Sequence, residues 1–139
     1  MIKALLATLT ILLSTLSASY AATLQKEWVY RQAFCPGQKQ IVMPDKTRAD
    51  CIKDNIVWEV DFDFKWYEAI GQSTHYGRQK LMRPGIALIV EDQKKCYLYW
   101  RAHRDVENYR VNIRGDWLKP VIVQIGPAKC VHTISGGVN

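Results

Sequence analysis

Residues 59–65 read E-V-D-F-D-F-K, with a carboxylate at every second position and a lysine closing the run. Alternate residues of a β-strand share a face. Val57, Glu59, Asp61, Asp63 and Lys65 therefore belong to one face, and Trp58, Val60, Phe62 and Phe64 to an apolar one that must pack against a core. Successive acids on such a face stand roughly 7 Å apart. Asp50 lies one short turn earlier and can stand beside them. Carboxylates this close repel one another, and a divalent cation relieves the repulsion by taking oxygen ligands. A solvated strand face is also often charged, and Lys65 can neutralise one acid. Two features favour a site: the face is acidic in a basic chain, and the following segment has polar residues aimed the same way.

The elements that must hold this face are legible on either side of it. "TLQKEWVYRQAF" places Leu24, Trp28, Val29, Gln32 and Ala33 at helical spacing and predicts a first helix. "QKQIVMP" and "RADCI" read as short strands separated by the turn "PDKT". After "KDN", residues 56–64 form the longest strand candidate, with period-two alternation. "KWYEAIGQSTHYGRQKL" has helical periodicity, and "RPG" breaks it. "IALIVED" is a continuous apolar run, the mark of a buried strand. "KCYLYW" is expected as a strand, "RDVENYRVNIR" as a helix and "KPVIVQIG" as the last strand. The expectation is an α/β fold: a single mixed β-sheet flanked by helices.

These residues resemble the restriction-endonuclease-like superfamily, the PD-(D/E)xK nucleases. Asp50 in "TRADC", the acids of "EVDFDFK", and Gln72 and Tyr76 in "GQSTHY" follow the family's motif order: an acid, then acid-x-lysine, then Q-x-x-x-Y on the next helix. The resemblance implies a restriction-endonuclease-like core (α-β-β-β-α-β) and hydrolysis of phosphodiester bonds of nucleic acid with Mg²⁺ or Mn²⁺. It implies Asp50, Glu59 and Asp61 as metal ligands, with Lys65 and Gln72 completing the catalytic set. Two registers are open. In one, Asp63-Phe64-Lys65 is the acid-x-lysine motif. In the other, Glu59 is the acid, Asp61 occupies the usual lysine position, and Lys65 brings the amine from the start of the helix. The departure at Asp61 also leaves a non-catalytic module, a decayed nuclease fold that binds a protein or nucleic-acid partner.

The rest of the 139-residue chain sets the context. Lys3, the apolar run "ALLATLTILLSTL" and the small residues of "SASYA" read as a signal peptide, residues 1–21, leaving 22–139 as one domain. Its removal takes away one lysine and no acid, so the formal charge of +6 falls by one. The expected location is a bacterial periplasm or the medium, with no membrane association after cleavage. Cys35, Cys51, Cys96 and Cys130 all follow that segment, an even count that favours two disulfides in an exported small domain. Three pairings are possible, and Cys35–Cys51 with Cys96–Cys130 would staple one half of the domain each. His75, His103 and His132 lack ligand spacing. The chain contains no G-x-S-x-G, P-loop or dinucleotide motif.

Overall fold

A computed structural model describes residues 26–131. Residues 1–21, expected as a signal peptide, and Leu24 lie outside the described residues. Helix α1 includes residues 26–34. Two short strands, β1 (Ile41–Val42) and β2 (Arg48–Ala49), pair antiparallel. The chain bends at Asp50 and resumes as β3 (Cys51–Lys53), then turns back as β4 (Ile56–Phe62). The two turn residues, Asp54 and Asn55, both have positive φ, 55° and 59°, as a tight type I′ hairpin requires. Helix α2 (Trp66–Lys80) crosses over to β5 (Arg83–Ile89), which lies parallel to β4. Helix α3 (Cys96–Asn108) and a small hairpin, β6 (Val111–Ile113) and β7 (Asp116–Leu118), lead to β8 (Val121–Ile125). The resulting sheet is mixed, in the order β3-β4-β5-β8.

Helices cover both faces. Ile86, Leu88 and Val90 point to one side and pack with Ala69 of α2 and Tyr99, Ala102 and Val106 of α3. Ala87 and Ile89 point to the other, where Trp58, Val60 and Phe62 meet Cys35, with Tyr30 and Phe34 of α1 against them. The central pairing needs Gly85. It sits opposite Trp58 in the parallel register, and a Cβ there would lie 2.6 Å from the Trp58 indole and 2.5 Å from Ile56. Both disulfides form in the expected pairing, Cys35–Cys51 and Cys96–Cys130. No described helix is long and apolar enough to cross a membrane.

Three local expectations are corrected. The strand expected over 56–64 stops at Phe62, and Asp63–Lys65 form a 3-10 turn that leads into α2. Phe64 is therefore rotated out of the apolar face and is 48% exposed. "KCYLYW" is not a strand: Lys95 closes a 3-10 turn and Cys96–Trp100 open α3, which ends before Val111. Its β-forming residues are overridden by the spacing of Tyr99, Ala102 and Val106, which gives a helical stripe that fits the sheet. In α1 the inward side is not the one marked by Trp28 and Val29, which are each 53% exposed. Tyr30 and Phe34, one turn apart, reach the core instead.

Candidate functional site

Beyond Trp58, the outer edge of β4 has no strand partner, because β3 pairs only with Ile56–Trp58. Backbone donors on a bare strand edge need acceptors. Carboxylates supply them here. The Val60 N–H donates to Asp50 Oδ2 at 2.8 Å, and the Phe62 N–H donates to Asp61 Oδ1 at 2.8 Å. The bend at Asp50 is what turns its side chain onto this edge. Asp50 Oδ1 also accepts from Gln40 Nε2 at 3.2 Å and faces Arg31 Nε at 3.8 Å.

Glu59 and Asp61 share the side of β4 that holds Val57, which packs with Tyr76 of α2. Both acids are buried, at 8% and 5% exposure. Lys65, in the turn before α2, reaches back one helical step to Asp61 Oδ1 at 3.5 Å. Glu27, on the half-buried stripe of α1 with Arg31, completes the group electrostatically. Burial raises its carboxyl to about 7, with Asp61 and Asp50 adding to the shift and Lys65 and Arg31 opposing it. The site thus gathers four carboxyls around Glu59, namely Glu27, Asp50, Asp61 and Glu59 itself, against two cations, Arg31 and Lys65, with Glu68 of α2 also acting on Asp61 and Lys65.

The electrostatics follow from that crowding. Burial, then Asp50, Asp61 and Glu27, push Glu59 well above the ordinary carboxyl range. Burial also raises Asp50 and Asp61, against the hydrogen bonds from Val60 and Phe62. For Lys65 burial is unfavourable to charge, but Asp61 and Glu27 outweigh it and raise the ammonium above its usual value. The Tyr76 hydroxyl is pushed to about 12, by burial and by Glu59 and Asp50. Two polar atoms of the group are buried with no hydrogen-bond partner: Glu59 Oε2 and Arg31 Nη1. Buried polar groups are nearly always satisfied, so an unpartnered oxygen among four carboxyls marks a place for a cationic ligand or a proton.

Of the sequence-derived candidates, Asp50, Glu59, Asp61 and Lys65 come together. Gln72 lies on α2 but is exposed and makes no hydrogen bond to the carboxylates among the described residues. Asp63 leaves the group: the 3-10 turn carries it to the far side of β4, where Lys95, Glu91 and Asp92 act on it. Among the described residues no three His, Cys, Asp or Glu side chains are gathered into a ready-made metal cage. Glu27 is the member that sequence reasoning missed. Its signal was the i, i+3, i+4, i+7 stripe of Glu27, Tyr30, Arg31 and Phe34, hidden because two larger apolar residues, Trp28 and Val29, marked another face.

No family model matches the chain, no curated protein matches it in sequence, and no solved structure matches it in fold.

Proposed function

We propose that the protein is an exported, divalent-metal-dependent nuclease that hydrolyses phosphodiester bonds of nucleic acid at the Glu59 cluster. The observation that carries this reading is Glu59 itself: a buried carboxylate with one unpartnered oxygen, set among three further carboxyls and one lysine. At the level of fold it is supported by a mixed sheet in which the antiparallel pair β3–β4 is followed by the crossover helix α2 and the parallel strand β5. Two disulfides support an oxidising compartment.

The donors are carboxylate oxygens, which Mg²⁺ and Mn²⁺ both take. Asp50, Glu59 and Asp61 would have to draw together to hold the ion, since among the described residues they are not gathered into a cage, and Glu27 stands close enough to respond to the same charge. When bound, such an ion stabilises negative charge on a phosphate and makes water a better nucleophile. The protein side of the chemistry is divided by proton affinity. Lys65 stays protonated at neutral pH and offers fixed positive charge to the phosphate oxygens. Glu27, with its carboxyl at about 7, is matched to accept or hold a proton near neutrality. The register this favours is Glu59, Asp61 and Lys65, since Asp63 faces elsewhere.

One observation favours a non-catalytic module instead. Both oxygens of Asp50 are already engaged, by Val60, Gln40 and Arg31, which is the arrangement of a residue that caps a strand edge. A calorimetric titration with Mn²⁺ separates the two. The nuclease reading expects saturable binding near neutral pH, with proton release that makes the heat depend on buffer ionisation, and loss of binding in Glu59→Gln. Absence of binding in the wild-type protein assigns the cluster to the module.

A further inference from the structure

A second group of charges lies across β4 from the carboxylate cluster. A pocket of about 260 Å³ is lined by Lys26, Phe62, Asp63, Phe64, Glu91, Asp92 and Lys95. It opens where the parallel strands β4 and β5 end, the position at which open α/β sheets take ligands. Three of its features are unusual together. Asp63 is 3% exposed, and its Oδ2 is buried with no hydrogen-bond partner. Phe64 is 48% exposed and stacks on Phe62 with ring centroids 5.6 Å apart and planes 11° apart, so one flat aromatic face is available. Lys26 and Lys95 bring two ammonium groups to the same pocket.

A metal ion does not suit this chemistry. Glu91 is held by Tyr30 at 3.1 Å and faces Lys26 at 3.8 Å, and Asp92 accepts from the Lys94 N–H at 2.9 Å. The Phe64 N–H already serves the Asp63 carboxylate, so the one buried acceptor in the pocket left without a donor is Asp63 Oδ2, and the two lysines disfavour a cation. What Asp63 calls for is a neutral N–H on a flat ring that lies on Phe64, attached to an anion that meets Lys26 or Lys95. We propose that this pocket is a subsite for a nucleobase bearing an exocyclic amino group, with its phosphate on the lysines. The proposal rests on the nuclease reading and gives it a substrate class: single-stranded nucleic acid, because a base must be unpaired to stack and present its edge. Asp61 and Asp63 are two residues apart on either side of the end of β4, so one strand crossing that end would meet both places.

The pyrimidine pair gives the test. Cytosine presents an N4 amino donor where thymine presents the O4 acceptor. Binding of dCMP, dTMP and inorganic phosphate is measured in EDTA, so that the carboxylate cluster takes no part. The expected result is dCMP bound about tenfold tighter than dTMP, the scale of one base-edge contact. Asp63→Asn should erase the preference, and Phe64→Ala, with its folding checked by the urea midpoint because the ring stacks on the buried Phe62, should weaken both nucleotides about tenfold. Equal binding of dCMP and dTMP, a preference that survives Asp63→Asn, phosphate binding as tightly as dCMP, or no nucleotide binding overturns the proposal. Cleavage of oligo-dC and oligo-dT is followed separately with Mn²⁺. Cleavage without any dCMP preference leaves the nuclease and removes the subsite. A dCMP preference in EDTA without cleavage in any metal keeps the subsite and removes the nuclease.

Discussion

Replacing Glu27 by Gln keeps the shape of the side chain and removes its charge, and the effect on stability should depend on pH in a defined way. Glu27 titrates near 4.5 when unfolded and at about 7 in the folded protein. A carboxyl whose folded value is raised contributes most below the unfolded value and loses that contribution as pH rises through the folded one. The window is therefore about pH 4.5 to 7. A shift of this size corresponds to about 3 kcal/mol between protonation states, and the partial exposure of the side chain trims this toward about 2 kcal/mol. At pH 4.5 the wild-type carboxyl is largely protonated when folded, and Glu27→Gln should be nearly neutral. At pH 8 the variant should be the more stable by about 2 kcal/mol. Urea unfolding of the two proteins across this range measures the difference directly. Adding Mn²⁺ at pH 8 should narrow it, because an ion on Asp50, Glu59 and Asp61, which both proteins keep, also offsets the charge of Glu27, which only the wild type carries. A difference that stays flat with pH, or a variant that is less stable at pH 8, would refute the picture of a crowded carboxyl cluster.

Four other outcomes are expected. Glu59→Gln should abolish metal-dependent cleavage while leaving the thermal midpoint unchanged or higher, since it relieves repulsion from Asp50 and Asp61; a large fall in the midpoint would assign Glu59 a purely structural role. Lys65→Met should lower kcat by about a hundredfold, the scale of losing one charge-stabilising group, and steady-state kinetics that show only a KM change would place Lys65 outside the chemistry. Gly85→Ala should cost about 1–3 kcal/mol by overpacking against Trp58 and Ile56, read as a lower urea midpoint; an unchanged midpoint would mean the indole moves freely. Replacing both members of the Cys96–Cys130 pair, 34 residues apart, should cost about 4 kcal/mol on the chain-entropy account, and a thiol titration of the native protein should find no reactive groups.

The sequence made the centre of the fold legible and its periphery less so. β4 and α2 could be placed because alternation in Ile56–Phe62 and helical spacing after Lys65 are both strong and the two periods meet at one point. The strand's end could not, because Asp63-Phe64 continues the alternation while the backbone has already turned. That single turn decides the site: it sends Asp63 to the opposite side and lets Lys65 reach Asp61. In α3 local preference misled, since "CYLYW" is rich in strand formers and only the later Ala102 and Val106 reveal the helical stripe. Glu27 was illegible for a related reason. A short helix with apolar residues on two faces does not say which one docks, and here the docking face is the one with Tyr30 and Phe34 and with the charges. The disulfide pairing was accessible because each bridge closes within one half of the chain.

The central claim is metal-dependent phosphodiester hydrolysis at Glu59. It is tested most directly by incubating the disulfide-bonded protein and its Glu59→Gln variant with a labelled single strand and with plasmid, in Mg²⁺, Mn²⁺ or EDTA. The account predicts shortened products only from the wild-type protein and only with metal present. Intact nucleic acid under every condition, or equal cleavage by Glu59→Gln, would contradict it.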